Sequence, residues 1–564
     1  MRSAFRFLSA EVRGLHRAAS ILAGAALLSS LLALARDRLL AHTFGAGAQL
    51  DLYYAAFRIP DLLFVATGAM VSVYILIPEL AKRTEDAQKE YLETIVAGFS
   101  IFAFAISAIA AIFAPWILER LFPQIVSSGG LADLTSLTRI LLLQPIFLGL
   151  SNILAAITQA RNRYTLYAIS PLLYNVGIIV GVGVLYPFLG ITGLAWGVAF
   201  GAFMHAAIQV PSVRQDGFFK KIPRIHDLQT LLNTVFISLP RALALSMNQV
   251  AFLGITALAS YLSSGSIAIF MLAYNLQAVP LAIIGASYSV AAFPTLAAAL
   301  SKGETESFLE HVAIAARYVF FWSLPATALI VVLRAHLVRV ILGSGNFDWT
   351  DTRLTAAVFA VLSLSLVAQG VSLLLIRGYY AAGRTFTPFL VSGGSAIATV
   401  LFALYFTSLF SHAGVVYSAA SIMRLQGISD ISVLALGLAY AVSSIGGTLL
   451  LAILFEMRFR GFFSKISKTL LESTLAASCA LIATYFVLNG IGDLEVGSTT
   501  LSVFLKGLVG GLSGLIVSGL TYWALGSSEY AETVLSIRGK IFKDVPGVPG
   551  AALASPAEES PGQA

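Results

Sequence analysis

The chain has 564 residues, of which 58% are hydrophobic and only 11% are Asp, Glu, Lys or Arg. Soluble domains carry about 25% charged residues, so a water-soluble globular protein is excluded and a membrane-embedded helical bundle is expected. The formal charge of +7 does not point to nucleic acid, because most basic residues sit in short segments between apolar runs, where they set topology.

From the amino terminus, Arg2, Arg6, Arg13 and Arg17 alternate with Phe5, Leu8, Val12 and Leu15. That spacing predicts an amphipathic helix over 1–17 lying on the cytoplasmic surface. The apolar run that follows is too long for a signal-peptide core and lacks a small-residue cleavage site, so it is expected to stay in the mature protein. Spans able to cross a ~30 Å hydrocarbon layer are predicted near 18–41, 53–80, 92–119, 135–160, 167–188, 190–213, 228–262, 267–300, 312–334, 353–379, 387–410, 431–455, 469–489 and 500–525. Helices are the expected spanning element, since each must satisfy its own backbone in lipid and no strand alternation is visible. The fold class is therefore all-α and polytopic, with about fourteen transmembrane helices. Residues 526–564 lose apolar periodicity and end in a Gly-, Pro-, Ala- and Ser-rich run, which predicts a largely disordered cytoplasmic tail.

Counting Lys and Arg on alternate sides gives about 23 against about 7, which predicts that both termini are cytoplasmic. The chain also repeats. With an offset of 220 residues, Gly45 falls on Gly265, Ala48 on Ala268, Tyr54 on Tyr274 and Pro60 on Pro280. Ala160-Arg161-Asn162-Arg163, followed by Pro171, similarly resembles Ala381-Ala382-Gly383-Arg384, followed by Pro388. Six helices separate the copies, so the halves share one orientation and are related by an axis along the membrane normal. This predicts an N-lobe over 18–213, a C-lobe over 228–455 and two appended helices over 469–525.

Charges inside spans are costly and mark candidate functional positions. Arg36, Asp37 and Arg38 lie near the end of the first span, Asp51, Arg58 and Asp61 at the start of the second, Arg241 in the seventh and Arg317 in the ninth. Arg36 and Asp51 flank the loop His42–Gly47 and are expected to meet at a cavity rim; the alternative is that residues 36–38 end the helix at the membrane surface. Pro60 and Pro280 are candidate hinges, since proline frees a carbonyl and bends a helix. Arg241 is placed either at the cavity or among cytoplasmic headgroups, and Arg317, with no partner in view, at the headgroups. Gly393-Gly394 and Gly446-Gly447 are read as close helix packing. The sole cysteine, Cys479, rules out an intramolecular disulfide. The seven histidines lack metal-ligand spacing and no nucleotide-phosphate loop occurs, so neither catalysis nor a cofactor is expected.

The segment LARDRLLAHTFGAGAQLDLYYAAFRIPDLL, Leu34 to Leu63, resembles the amino-terminal signature of the MurJ/MviN family of lipid II flippases. Arg161 and Arg163 with Pro171, the segment Pro294 to Ala297, and LGSGNFDWTDTR, Leu342 to Arg353, are similar to further family motifs, and the resemblance runs over roughly 18–525. It implies a two-lobed transporter of the multidrug/oligosaccharidyl-lipid/polysaccharide exporter superfamily, working by alternating access in the bacterial inner membrane. The implied substrate is lipid II, an undecaprenyl-pyrophosphate-linked glycan, with membrane lipids and cell-wall synthesis machinery as partners. By the same resemblance Arg36 matches a cavity arginine and Asp51 the signature aspartate. Three other family arginines fall on Ser30, on Phe64 or Val65, and on Asn275, which places Asn275 at a substrate position without the charge. Another polyprenyl-linked oligosaccharide, an amphipathic compound, or a non-transporting role as an envelope scaffold stays open at this stage.

Overall fold

The structure, a computed structural model, describes residues 15–492 and 498–541 apart from 69–70, 72–75, 78, 81, 162 and 220. The predicted surface helix over 1–14 and the tail beyond 541 lie outside the described residues. Every regular element among the described residues is helical. In chain order these are α1 (Leu15–Phe44), α2 in two pieces (Ala48–Ala56 and Arg58–Gly68), α3 (Glu85–Leu121), a short helix Pro123–Ser127, α4 (Leu131–Ala160), α5 (Tyr164–Leu189), α6 (Thr192–Gln215) and α7 (Leu228–Ala259). There follow α8 (Ser266–Ser301), α9 (Thr305–Ile341), α10 in two pieces (Trp349–Ser363 and Leu366–Ala381), α11 (Phe386–Leu409), a short helix Ala413–Met423, α12 (Val433–Arg458), α13 (Phe462–Ile491), α14 (Thr500–Ala524) and α15 (Ser528–Ile541).

Among the described residues ten helices are long and apolar enough to cross a membrane, or eleven with the bent α10 pair. The 30-residue α1, the broken α2 and the 32-residue α7 occupy the other three predicted spans. The chain is thus a multi-pass membrane protein.

Helix neighbours reproduce the repeat. In the first half α5 packs on α1 and α6, and α4 receives α2, α3 and α6; six helices later α11 packs on α7 and α12, and α10 receives α8, α9 and α12. Each half is therefore one lobe with its own copy of the same arrangement. α13 and α14 pack on each other and on α9, outside the two lobes.

Local chemistry accounts for the elements. α7 starts at Asp227, whose carboxylate accepts N–H groups from Gln229 (2.9 Å) and Thr230 (3.1 Å). The Thr230 hydroxyl and these backbone donors hold that exposed carboxyl below the usual range. α5 and α6 cross at a glycine seam: a Cβ on Gly197 would sit 2.3 Å from the Gly181 Cα, and one on Gly177 would sit 2.3 Å from the Gly201 Cα. Lipid supplies no hydrophobic force between helices, so close backbone approach has to supply the contact instead. Gly197→Ala should therefore cost about 1–3 kcal/mol, read as a lower melting temperature in detergent, with Gly183→Ala, which meets nothing within 4 Å, as the silent control. Of the glycines read from sequence as packing points, Gly447 abuts Ser395, whereas Gly394 and Gly446 face open space.

Two expectations near the carboxyl-terminal end change. Residues 528–541, expected in a disordered tail, form α15. Arg317, expected to have no partner, faces Glu529 at 3.3 Å and Glu310 at 3.5 Å. Glu529 is buried and also accepts from Thr469 (3.0 Å) and Ser528 (2.9 Å), which docks α15 on α9 and α13. Sequence periodicity misses this because the anchor is a charge pair between distant segments. Glu529→Ala should release α15, seen as at least about tenfold faster amide exchange over 528–541, given ~1.4 kcal/mol per factor of ten and the loss of several hydrogen bonds to a buried charge.

Candidate functional site

A cavity of about 180 Å³ lies between the lobes, lined by Arg36 and Asp37 of α1, Tyr53, Tyr54, Arg58 and Asp61 of α2, Tyr174 of α5, and Met271 and Asn275 of α8. Arg36 stands eight residues before the end of α1, which at 1.5 Å per residue is roughly 12 Å along the helix from the α1–α2 loop. It is not an end-of-helix residue.

Every cation in this cavity has a carboxylate beside it. Arg36 Nη2 lies 2.8 Å from Asp37 Oδ1, and its Nε donates to the same oxygen at 2.9 Å. Its Nη1 donates to Asn175 Oδ1 of α5 at 3.1 Å. Asp37 Oδ2 in turn accepts from Asn275 Nδ2 at 3.1 Å. The chain Asn275–Asp37–Arg36–Asn175 therefore ties α8 of the C-lobe to α1 and α5 of the N-lobe. A guanidinium has five N–H groups, so Arg36 keeps donors for a further acceptor.

Arg58 is buried and lies 3.4 Å from Asp61, which also accepts from Gln144 Nε2 at 3.3 Å. Its Nε donates to the Tyr54 carbonyl at 3.2 Å, and its guanidinium carbon is 5.9 Å from the Phe252 ring of α7, a cation–π contact across the lobes. The backbone explains why Arg58 points inward: α2 breaks at Phe57, and Pro60, three residues on, has no N–H to offer the Ala56 carbonyl. Thr138 of α4 donates to that carbonyl instead, at 3.5 Å. At the repeat-equivalent place Pro280 lies two residues before a π-helical turn, Ala282–Ala286, in α8.

The structure thus brings Arg36, Arg58 and Asn275 together. Asp51, expected beside Arg36, is not in this cavity. Its buried carboxylate accepts the Gly265 N–H at 2.6 Å and the Ala268 N–H at 2.8 Å, capping the amino terminus of α8 from the other lobe. A helix amino terminus presents unpaired N–H groups and positive potential, so it captures a carboxylate that could otherwise pair with arginine. Arg38 makes the complementary contact, donating to the Val340 (2.6 Å) and Ile341 (3.2 Å) carbonyls at the end of α9. Asp351 accepts from Ala46 N–H at 3.0 Å, and Asn346 Nδ2 donates to the Thr43 carbonyl at 2.7 Å. Gly45 and Gly265 have φ of +61° and +92°, and a Cβ on either would strike Asn346 or Ala46 of the opposing lobe. The lobes are sealed together at this end. The Arg241 side chain lies outside the described residues.

Sequence reasoning singled out Asp37 and Asp61 as charges but not as site residues, although each is the counter-ion of a predicted arginine. Tyr53, Tyr54, Tyr174 and Asn175 carry no charge signal and were missed. Of the positions where family arginines were absent, Ser30 bonds back to the Ala26 carbonyl, while Val65 lines a different cavity. That cavity, about 530 Å³, is lined by uncharged polar groups of the C-lobe and α7, among them Asn248, Gln249, Gln369, Ser395, Thr399 and Ser443.

Residues 40–424, well over half the chain, match the family model described as lipid II flippase MurJ. A curated relative from Burkholderia cenocepacia, named lipid II flippase MurJ, is 26% identical over 418 residues, covering 72% of this chain and 80% of the relative. Among solved structures, lipid II flippase MurJ in an inward closed conformation superposes with a TM-score of 0.70 at 21% identity, over 89% of this chain and 99% of that one. An inward-facing multidrug resistance MATE family transporter of the MOP superfamily superposes with a TM-score of 0.62 at 13% identity, over 77% and 96%. These low-identity likenesses carry the two-lobed fold alone, but the family model matches more than half of the chain, and the chain belongs to the lipid II flippase MurJ family.

Proposed function

We propose that this chain translocates lipid II from the cytoplasmic to the periplasmic leaflet of the bacterial inner membrane by rocking its two lobes. The observation that carries this reading is the inter-lobe cavity itself, where Arg36 and Arg58 stand at the seam with donors held in place by Asp37, Asp61 and Asn175. A pyrophosphate needs cations in a site shielded from bulk water, where charge-assisted hydrogen bonds are strong. The lining arginines and aspartates balance, so at rest the site is electrically neutral. The substrate's phosphates compete with Asp37 and Asp61 for the same guanidiniums.

The Lys and Arg asymmetry supports cytoplasmic termini, and so a periplasmic place for the sealed α1–α2 loop end. Pocket volumes for small ligands are about 300–1,000 Å³, so the cavity of about 180 Å³ admits a disaccharide-pentapeptide only after the lobes part. Pro60 and Pro280 serve as the hinges, each beside a break in regular helix. The uncharged C-lobe cavity offers hydroxyl and amide partners for sugar and peptide. Membrane potential, worth ~2.3 kcal/mol per charge per 100 mV, supplies a driving force for the return step.

The test is expression in cells depleted of their own lipid II flippase, with the inner-leaflet pool of lipid II measured directly. Growth and a shrinking pool are expected. A protein that inserts well yet leaves the pool unchanged, or that rescues only an O-antigen flippase mutant, overturns the substrate assignment.

A further inference from the structure

At the same end as the α1–α2 loop, a separate cavity of about 610 Å³ lies between α9, α10, α13 and the segment Ser421–Arg424. Arg334, Arg353, Arg424 and His336 line it, and none of its lining residues is acidic. Backbone carbonyls orient two of these cations. Arg334 Nη1 donates to Val331 O at 2.8 Å and its Nη2 to Met423 O at 3.4 Å; Arg353 Nε donates to Arg424 O at 3.1 Å and its Nη2 to Gln426 O at 3.0 Å. A carbonyl fixes a guanidinium without neutralising it. The acids closest to Arg353 along the chain are engaged elsewhere, Asp348 in capping α10 and Asp351 on Ala46. His336 adds a buried Nδ1 with no hydrogen-bond partner among the described residues.

Like charges converging in a shielded cleft repel one another, and guanidiniums with donors to spare match phosphate oxygens in geometry and charge. Apart from Ser421 and Asn489, the remaining wall is mostly aliphatic and aromatic. Ile422 of the short helix Ala413–Met423 and Leu481 and Tyr485 of α13 line the cavity yet stay exposed on the protein surface. A cationic floor beside an aliphatic wall suits an amphiphile with a phosphate head. We propose that this pocket binds the headgroup of an anionic phospholipid, its phosphate on Arg334 and Arg353 and its acyl chain along α13. This site is separate from the inter-lobe cavity and does not depend on the cargo.

The experiment uses the full chain in nanodiscs of phosphatidylglycerol, or of phosphatidylcholine with inorganic phosphate added, followed by extraction and native mass spectrometry. Wild-type protein should retain phosphatidylglycerol, and Arg334→Gln with Arg353→Gln should retain at least about tenfold less, the loss expected from removing two charge-assisted contacts. Arg334→Lys should keep most of the binding. In case the double variant misfolds, a photoreactive phosphatidylglycerol on wild-type protein should label α13 between residues 481 and 489. Equal retention by wild type and a folded double variant, equal retention of phosphatidylcholine, capture of inorganic phosphate in place of lipid, or labelling spread evenly over the surface would each overturn the proposal.

Discussion

Arg36→Ala is expected to abolish rescue of flippase-depleted cells, and neutralising Asp37 as well is expected to restore protein levels without restoring rescue. Among the described residues the single change removes the only cation paired with Asp37, which is 3% exposed and would keep the Asn275 amide. Breaking a buried pair from one side costs about 3–5 kcal/mol, because the remaining charge is stranded. Reduced abundance of Arg36→Ala alone would therefore be ambiguous. Arg36→Ala with Asp37→Asn leaves no stranded charge, so its insertion and melting temperature should approach those of the parent. Its activity should not return, because the donors we propose for the pyrophosphate are gone. Rescue by that folded double variant would remove Arg36 from the substrate site.

Asp51→Ala is expected to unseal the loop end of the two lobes while leaving the inter-lobe cavity intact. The carboxylate is the shared acceptor for two N–H groups at the start of α8, and losing a helix cap of this kind costs about 1–2 kcal/mol. Here the whole cost falls on the sealed state, since the contact joins opposite lobes. The equilibrium between sealed and open forms should shift by roughly tenfold, as ~1.4 kcal/mol per factor of ten requires. Spin labels at Ala48 and Ser264, both exposed and flanking the seam, with Cys479 replaced by Ser, would report a broader and longer distance distribution. An unchanged distribution would show that the remaining contacts of Arg38, Asn346 and Asp351 hold the seam unaided. Asp51→Asn keeps one acceptor oxygen and should give an intermediate result.

The architecture was readable because lipid removes alternatives. Apolar length marks a span, charge asymmetry predicts a side, and the pairing of Gly45 with Gly265 and Pro60 with Pro280 announced a repeat that the helix neighbours of both lobes bear out. Arg36 and Arg58 were readable for the same reason, since a charge that deep demands a partner. Which partner was not readable. Asp51 and Asp37 are both acids near Arg36 in sequence, but Asp37, the next residue along α1, pairs with it, whereas Asp51 is claimed by the amino terminus of α8, more than 200 residues away. Helix ends act as charges that do not appear as residue letters. The same limit hid α15, whose docking depends on Arg317 meeting Glu529, and the tyrosines of the cavity, which look like any aromatic in an apolar helix.

The attachment of α13 and α14 to α9 has a practical consequence. Both helices, and the terminal α15 held by Arg317 and Thr469, are passengers of the second lobe. A fluorescent protein fused after residue 541 would travel with that lobe, so energy transfer to a dye on the α3–α4 turn would follow the rocking motion in living cells without a label near either pocket.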